Sequence, residues 1–204
     1  MNLQSNEPTK DSSYLHGYSE EEQARLYKQN TVLASKIYQQ FSPGPSGRIL
    51  EIGCGSGAQM FYLLKNNPNI HITGIDRSLE QIQSAKAYLK QSNISSERYN
   101  LIQADAEKTD FSDNSFDGIY MVWVLEHCEY PLTILKECHR ILKKGAYIFL
   151  TEVYNKSFSF FPEVAIIQDF WNKMIEFQKQ QYGDGNIGIR LGSYLAKSHF
   201  IRIK

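Results

Sequence analysis

An α/β fold, with a doubly wound and mostly parallel sheet covered by helices on both faces, is what this sequence predicts. Three observations carry that expectation. Five strand-length apolar runs lie between Arg48 and Val153, most of them separated by a helical periodicity. This is the pattern of parallel strands joined by right-handed crossovers. A glycine-rich turn, Gly53 to Gly57, follows the first of those strands directly. The length, 204 residues, suffices for one domain with a sizeable core but not for two full ones.

Each element has a local reason. Residues 1–13 are polar and expected to be disordered. Ser19 with Glu22 fits a capping box and opens a helix of about twenty residues toward Phe41. Residues 14–47 are read as an N-terminal helical cap, closed by the turn SPGPSG. RILEI is a buried first strand, and a helix from Ala58 to Lys65 stops at NNPN. IHITGID is the second strand; Ser78 with Gln81 caps the next helix, whose Ile82, Ala85 and Leu89 share a face. YNLIQAD and DGIYMVWVL read as strands three and four. Pro131 suits the first turn of a helix carrying Leu135, Cys138 and Leu142, with Gly145 ending it. AYIFLTEV is the fifth strand.

Beyond Val153 the composition shifts: eight of the thirty residues from Val153 to Tyr182 are aromatic. Within this aromatic-rich insert, residues 154–185, a helix from Pro162 places Ile167, Phe170, Trp171 and Met174 on one side. YGDGN is a turn, Asn186 is the expected cap of a last helix reaching Lys197, and FIRIK reads as the opening of a sixth strand.

Composition excludes several classes. The 22 Lys and Arg cancel the 22 Asp and Glu, so the basic surface that nucleic-acid binding needs is absent. The longest apolar runs are far short of a membrane span, and the first residues show no secretory signal. Three cysteines argue against a disulfide framework, so a cytoplasmic location is expected. His127, Cys128, Cys138 and His139 lie close in sequence but lack the spacing that lets metal ligands converge, and no metal is expected.

The glycine turn lets backbone approach a ligand at a strand-to-helix junction. Gly53, Gly55 and Ala58 satisfy the dinucleotide fingerprint formally, and Asp76 ends the second strand where a ribose-binding acid belongs. These features alone leave the nucleotide open. The full string E-I-G-C-G-S-G from Glu51, then QADAEKTDF with Asp105 and Ala106, then SFDGIYMVWVLEH, are successive motifs. Together they resemble class I S-adenosylmethionine-dependent methyltransferases. The likeness is best to the small-molecule branch that includes the ubiquinone/menaquinone-type and type 11 enzymes, and runs from about Arg48 to Val153.

The resemblance implies a Rossmann-like domain over residues 48–204 and S-adenosylmethionine as cofactor, with S-adenosylhomocysteine as product. It also implies roles for residues. The turn at Gly53, Cys54, Gly55 and Gly57 would lie under the methionine part, positioned by Glu51. Asp76 would accept both ribose hydroxyls, and Arg77 and Ser78 would flank the adenine. The Asp105 carboxylate and the Ala106 backbone N–H would hold the adenine. Met121 and Val122 would floor the site near the sulfonium. Tyr14 and Tyr18 in the leader, and Phe160, Phe161, Phe170 and Trp171 in the insert, are candidate lid and pocket walls. His127 is a candidate base or a loop histidine closing the strand. Plainer roles stand beside these: Asp76 as a turn-former, Asp105 as a helix cap, Glu51 as a strand end, Met121 and Val122 as core. Asp117 is read as a structural hydrogen-bonder at the strand entry.

In the family the sheet has seven strands, the seventh antiparallel between the fifth and sixth. Here the chain stops at Lys204, at or within the expected sixth strand, so the sheet is expected to be truncated or completed in a homodimer. His199 stands where the family's last helix usually ends in glycine, and must adopt the left-handed cap at a cost or avoid it. The expected function is methyl transfer to a small-molecule acceptor. A weakly active or inactive cofactor-binding partner subunit, and less so an NAD-dependent oxidoreductase, are the alternatives.

Overall fold

The computed structural model describes residues 19–41, 43 and 46–204. Five parallel strands, β1 (Gly47–Ile52), β2 (Ile70–Asp76), β3 (Tyr99–Gln103), β4 (Phe116–Val122) and β5 (Leu142–Thr151), form one sheet in the order β3-β2-β1-β4-β5. The helices are α1 (Glu20–Ile37), α2 (Ala58–Asn66), α3 (Leu79–Gln91), α4 (Pro131–Ile141), α5 (Ala165–Gln180) and α6 (Leu191–Lys197). The period-2 alternation of the strands divides the core. Ile49, Tyr120 and Val122 face Ala34, Tyr38, Met60, Leu63, Ile82 and Leu89 of the first three helical segments. Leu50, Ile52, Ile119 and Met121 face Ile134, Leu135, Cys138 and Ile141 of α4 and the flank of α6. Helices therefore cover both faces, as a doubly wound sheet requires. Strand order reverses around β1, which opens a crevice at the carboxyl ends of β1, β2 and β4.

The helix starts expected at Ser19, Ser78 and Pro131 form. The Ser19 hydroxyl accepts from Glu22 N–H at 3.2 Å, the Ser78 hydroxyl from Gln81 N–H at 3.3 Å, and Pro131 opens α4. Asp117 holds the strand entry: its carboxylate accepts from Arg48 N–H at 2.9 Å and Lys143 Nζ at 2.6 Å.

Several boundaries differ from the sequence reading. The first helix tightens to a 3-10 turn over Tyr38–Gln40, and Tyr38 and Phe41 enter the core, where they pack against Tyr120 and Phe149. α4 ends at Ile141, and β5 starts at Leu142, not after Gly145. Gly145, at φ +79°, instead lies within the irregular register between β4 and β5. On α5, Phe170 points outward at 65% exposure, whereas Ile167, Trp171, Met174, Ile175 and Gln178 make the inward stripe. Asn186 caps nothing; its side chain accepts from Lys156 N–H, and a 3-10 turn leads into α6. FIRIK forms no strand, so β5 pairs with β4 alone among the described residues. Ile201 and Ile203 are exposed there, with no neighbouring strand to bury them. No helix among the described residues is long and apolar enough to cross a membrane.

His199 takes the left-handed cap, at φ +68°. Its N–H donates to Ala196 O and Phe200 N–H donates to Leu195 O, both at 3.1 Å, the pair of bonds that closes a Schellman motif. A β-carbon at that φ costs roughly 1–2 kcal/mol. His199→Gly is therefore expected to raise stability by about 1 kcal/mol, or about 2–4 °C in Tm for a domain of this size. Calorimetry checks it.

Candidate functional site

The site is built on the glycine turn. Gly53, Gly55 and Gly57 have φ of +68°, +48° and +79°, conformations that a side chain resists. A β-carbon on Gly53 would stand 2.6 Å from Val124 Cγ2, so glycine there lets the loop after β4 close on the turn. The Cys54 N–H donates to Ile75 O at 2.9 Å, tying the turn to β2. Asp76, at the end of β2, completes it. One carboxylate oxygen accepts from Gly55 N–H and the other from Ser78 N–H, both at 2.9 Å. Burial raises the Asp76 carboxyl above its ordinary value, while these two donors pull it back. Each oxygen keeps a further lone pair for a ligand.

Two cavities meet above this turn. The first, about 240 Å³, is lined by Asp76, Arg77, Gln81, Asp105, Ala106 and Glu107 on one side and Cys128, Glu129, Gln181 and Tyr182 on the other. The second, about 430 Å³, lies between α1, the turn and α5, and includes Cys54, Val122, Glu126, Trp171 and Met174. Leu26, Gly53, Gly55, Trp123 and His127 line both. From α1, the Tyr27 hydroxyl donates to Ser56 O at 3.3 Å and Asn30 Nδ2 to Ala58 O at 2.8 Å. These bonds hold the helix against the turn.

Most of the residues expected from the sequence converge here: Gly53, Gly55, Asp76, Arg77, Asp105 and Ala106 on the first cavity, Cys54, Val122 and Trp171 on the second, His127 on both. Asp105 caps no helix: its carboxylate accepts from Glu107 N–H at 2.9 Å and closes a turn. Four stand apart. Gly57 lines neither cavity; a β-carbon there would meet Ala85 Cβ at 3.0 Å, so it serves α2–α3 packing. Met121 is buried in the core beneath α4, because its position in β4 points to the face away from Val122. Glu51 is buried on the opposite face, where it accepts a hydrogen bond from the Tyr120 hydroxyl. Burial pushes its carboxyl well up, toward the neutral form. Phe161 is fully exposed and covers nothing. Tyr14 and Tyr18 lie outside the described residues. Among the described residues no three His, Cys, Asp or Glu side chains gather as a metal site.

The sequence reading missed Glu152. At the end of β5, one of its oxygens accepts from Val124 N–H at 2.9 Å and Leu125 N–H at 2.7 Å, the other from Glu126 N–H at 3.3 Å. It thereby sets the loop that carries Trp123 and His127 into both cavities. Burial pushes this carboxyl up to about 8 against the pull of those donors. Trp123 and Tyr182 were missed too; both have positive φ, which no local sequence signal announces for an aromatic residue. Gln81 leaves one detectable sign: it is buried, lines the first cavity, and its Oε1 has no hydrogen-bond partner.

These residues fit S-adenosylmethionine. Asp76, Asp105, Glu107 and Glu129 outnumber the one guanidinium, Arg77, around the first cavity. That balance suits a ligand bearing a sulfonium and an ammonium and opposes a pyrophosphate. The unpartnered Gln81 oxygen offers an acceptor to a donor on the ligand.

A parallel sheet of this order, with an acidic cavity at its switch point, defines an α/β protein that binds a nucleoside-containing cofactor. The model of the family described as a methyltransferase domain matches residues 50–150. The chain belongs to the class I S-adenosylmethionine-dependent methyltransferases. It is 31% identical over 122 residues to an O-methyltransferase of Aspergillus nomiae, covering 60% of this chain and 53% of that one. It is 31% identical over 121 residues to a ubiquinone/menaquinone biosynthesis C-methyltransferase of Geotalea daltonii, covering 59% and 51%. The chain thus spans about half the length of these relatives. Among solved structures, a SAM-dependent methyltransferase from Aquifex aeolicus superposes with a TM-score of 0.61 at 18% identity, covering 79% of this chain and 88% of that one. Phosphoethanolamine N-methyltransferase 2 of Haemonchus contortus, in complex with S-adenosyl-L-methionine, gives 0.63 at 18%, covering 87% and 37%. These two show the fold.

Proposed function

We propose that this protein moves a methyl group from S-adenosylmethionine in the first cavity to a small-molecule acceptor in the second. The observation that carries the reading is the shared wall: Gly53, Gly55, Trp123 and His127 line both cavities, so two ligands would meet at these residues. When bound, S-adenosylmethionine supplies an electrophilic methyl group, whose bond to sulfur breaks as the acceptor's lone pair attacks in line, leaving S-adenosylhomocysteine. The chain's own task is to align and to exclude water. Asp76 would accept from the ribose hydroxyls, Asp105 and the Ala106 N–H would hold the purine, and the open backbone at Gly53 and Gly55 would admit the amino-acid end. Val122, Trp123, Trp171 and Met174 would wall the acceptor, with Gln29, Asn30 and Gln59 as polar contacts. His127, which lines both cavities with its Nε2 3.8 Å from Glu126 Oε1, would take the proton of an acidic acceptor.

The names of the two relatives above specify an oxygen and a carbon acceptor respectively, so likeness does not select the acceptor atom. The balanced charge disfavours a nucleic acid acceptor. The free thiols of Cys54, Cys128 and Cys138 agree with a reducing, cytoplasmic location. The edge of β5 that is unpaired among the described residues is the surface through which a homodimer would form.

Calorimetric titration with S-adenosylmethionine, S-adenosylhomocysteine and NAD tests the cofactor. Saturable binding of the first two and none of NAD is expected, and NAD binding alone would overturn the reading. Release of S-adenosylhomocysteine on mixing with a panel of phenols, quinols and amines then tests the transfer.

A further inference from the structure

Three helices end in the same way. After α3, α5 and α6 the chain turns through a left-handed residue whose N–H, and that of the residue after it, close back on the last turn. The left-handed residues are Asn93 at φ +57°, Tyr182 at +64° and His199 at +68°. Asparagine tolerates this conformation, and the His199 ring gains a neighbour, lying 6.0 Å from that of His139. Tyr182 has no such gain from the core, since it is 70% exposed. A large aromatic residue held in a costly conformation without burial calls for another reason.

The turn around it is held closely. Gln178 Nε2 donates to Glu126 Oε2, and Asp184 N–H donates to Glu126 O, both at 2.8 Å. A β-carbon on Gly183 would stand 2.6 Å from the same carbonyl, and one on Gly185 2.5 Å from Gln178 Oε1. Glycine is thus used where the turn meets Glu126 backbone and the Gln178 side chain, and the left-handed position itself is left to a tyrosine. The outcome is that Tyr182 lines the first cavity together with Asp105, Ala106, Cys128 and Glu129.

We propose that Tyr182 is a cofactor-binding residue whose ring closes the first cavity over the purine of the bound nucleoside. The inference rests on the proposed placement of S-adenosylmethionine in that cavity. A flat base gains from stacking on an aromatic face, and the rigid mooring through Glu126 means that little is lost in ordering the ring.

The test measures Kd for S-adenosylmethionine and S-adenosylhomocysteine by calorimetry, and Tm without ligand, for wild type, Tyr182→Gly, Tyr182→Asn and Tyr182→Phe. Glycine and asparagine relieve the left-handed strain and remove the ring. Both variants are expected to gain about 2 °C or more in Tm while weakening the two ligands equally, by about five- to fiftyfold. Tyr182→Phe is expected to stay within about twofold of wild type, because the ring face is kept. A side chain that only served the fold would not move stability and affinity in opposite directions. Affinities within about twofold in the Gly and Asn variants would overturn the proposal, as would a fall of Tm in both. A loss confined to S-adenosylmethionine would assign the ring to the sulfonium and overturn the purine assignment. Wild type that binds neither ligand would overturn the cofactor placement and this inference with it, whereas binding wild type with unchanged variants would overturn this inference alone.

Discussion

Asp76→Ala is expected to weaken S-adenosylmethionine and S-adenosylhomocysteine by about 100-fold or more. The carboxylate has two jobs in one place. It already accepts from Gly55 and Ser78 N–H, and so shapes the glycine turn that the ligand lies against. Its remaining lone pairs are the acceptors proposed for two ribose hydroxyls. Hydrogen bonds to a charged group contribute about 1.5–3 kcal/mol each, so losing two corresponds to about 3 kcal/mol or more, and each 1.4 kcal/mol is tenfold. Asp76→Asn should fall between: its amide nitrogen must face one of the two N–H donors and repel it. Affinity in the wild type should also fall on acidification, beginning above the ordinary carboxylate range, because burial raises the Asp76 carboxyl and a protonated oxygen ceases to accept. Titration calorimetry across pH reads all three. An Asp76→Ala protein binding within about tenfold of wild type would remove the ribose assignment.

The second large effect is expected at Glu152. Truncation to alanine leaves the N–H groups of Val124, Leu125 and Glu126 without their acceptor in a largely buried loop. Each unsatisfied buried donor costs about 1–3 kcal/mol, with water recovering part, so a net loss of about 3 kcal/mol is expected. For a chain of this length that is roughly 6–12 °C in Tm. Glu152→Gln keeps one oxygen for Val124 and Leu125 and should lose about a third of that. Because the same loop brings Trp123 and His127 to both cavities, the alanine variant should also lose affinity for S-adenosylhomocysteine in proportion to loop disorder.

The pH dependence has a definite sign. The Glu152 carboxyl is raised from 4.5 to about 8, so between those values the native state holds a proton that the unfolded state has released. Stability from this group is therefore full below about 4.5 and declines as pH rises toward 8. Glu152→Gln should flatten that part of the stability–pH curve. A curve of unchanged slope in this variant would show that Glu152 does not titrate in the window.

Much of the protein was decided locally and was legible as such. The strands from Gly47 to Thr151 follow from apolar runs, and Ser19, Ser78 and Pro131 mark helix starts because each satisfies or omits an orphan N–H at that point. The glycine turn and Asp76 were readable because positive φ and a strand-end acid are properties of single residues at fixed spacing. What was misread depended on partners distant in sequence. A strand-like FIRIK forms none because a strand needs a neighbour to pair with, which its own residues do not supply. Periodicity predicts Phe170 inward, yet which face of α5 is buried depends on the loops after β4 and β5. Glu152 carries no motif; it matters because β5 ends beside a loop 26 to 28 residues earlier in the chain. The sequence by itself determined the layer order, the turn and the acid beside it, since local propensity and spacing decide these. Only the tertiary structure decided which carboxyl holds the loop, which aromatics reach the cavities and where the two cavities join. Those outcomes come from side chains meeting across the crevice, and no periodicity along the chain encodes that.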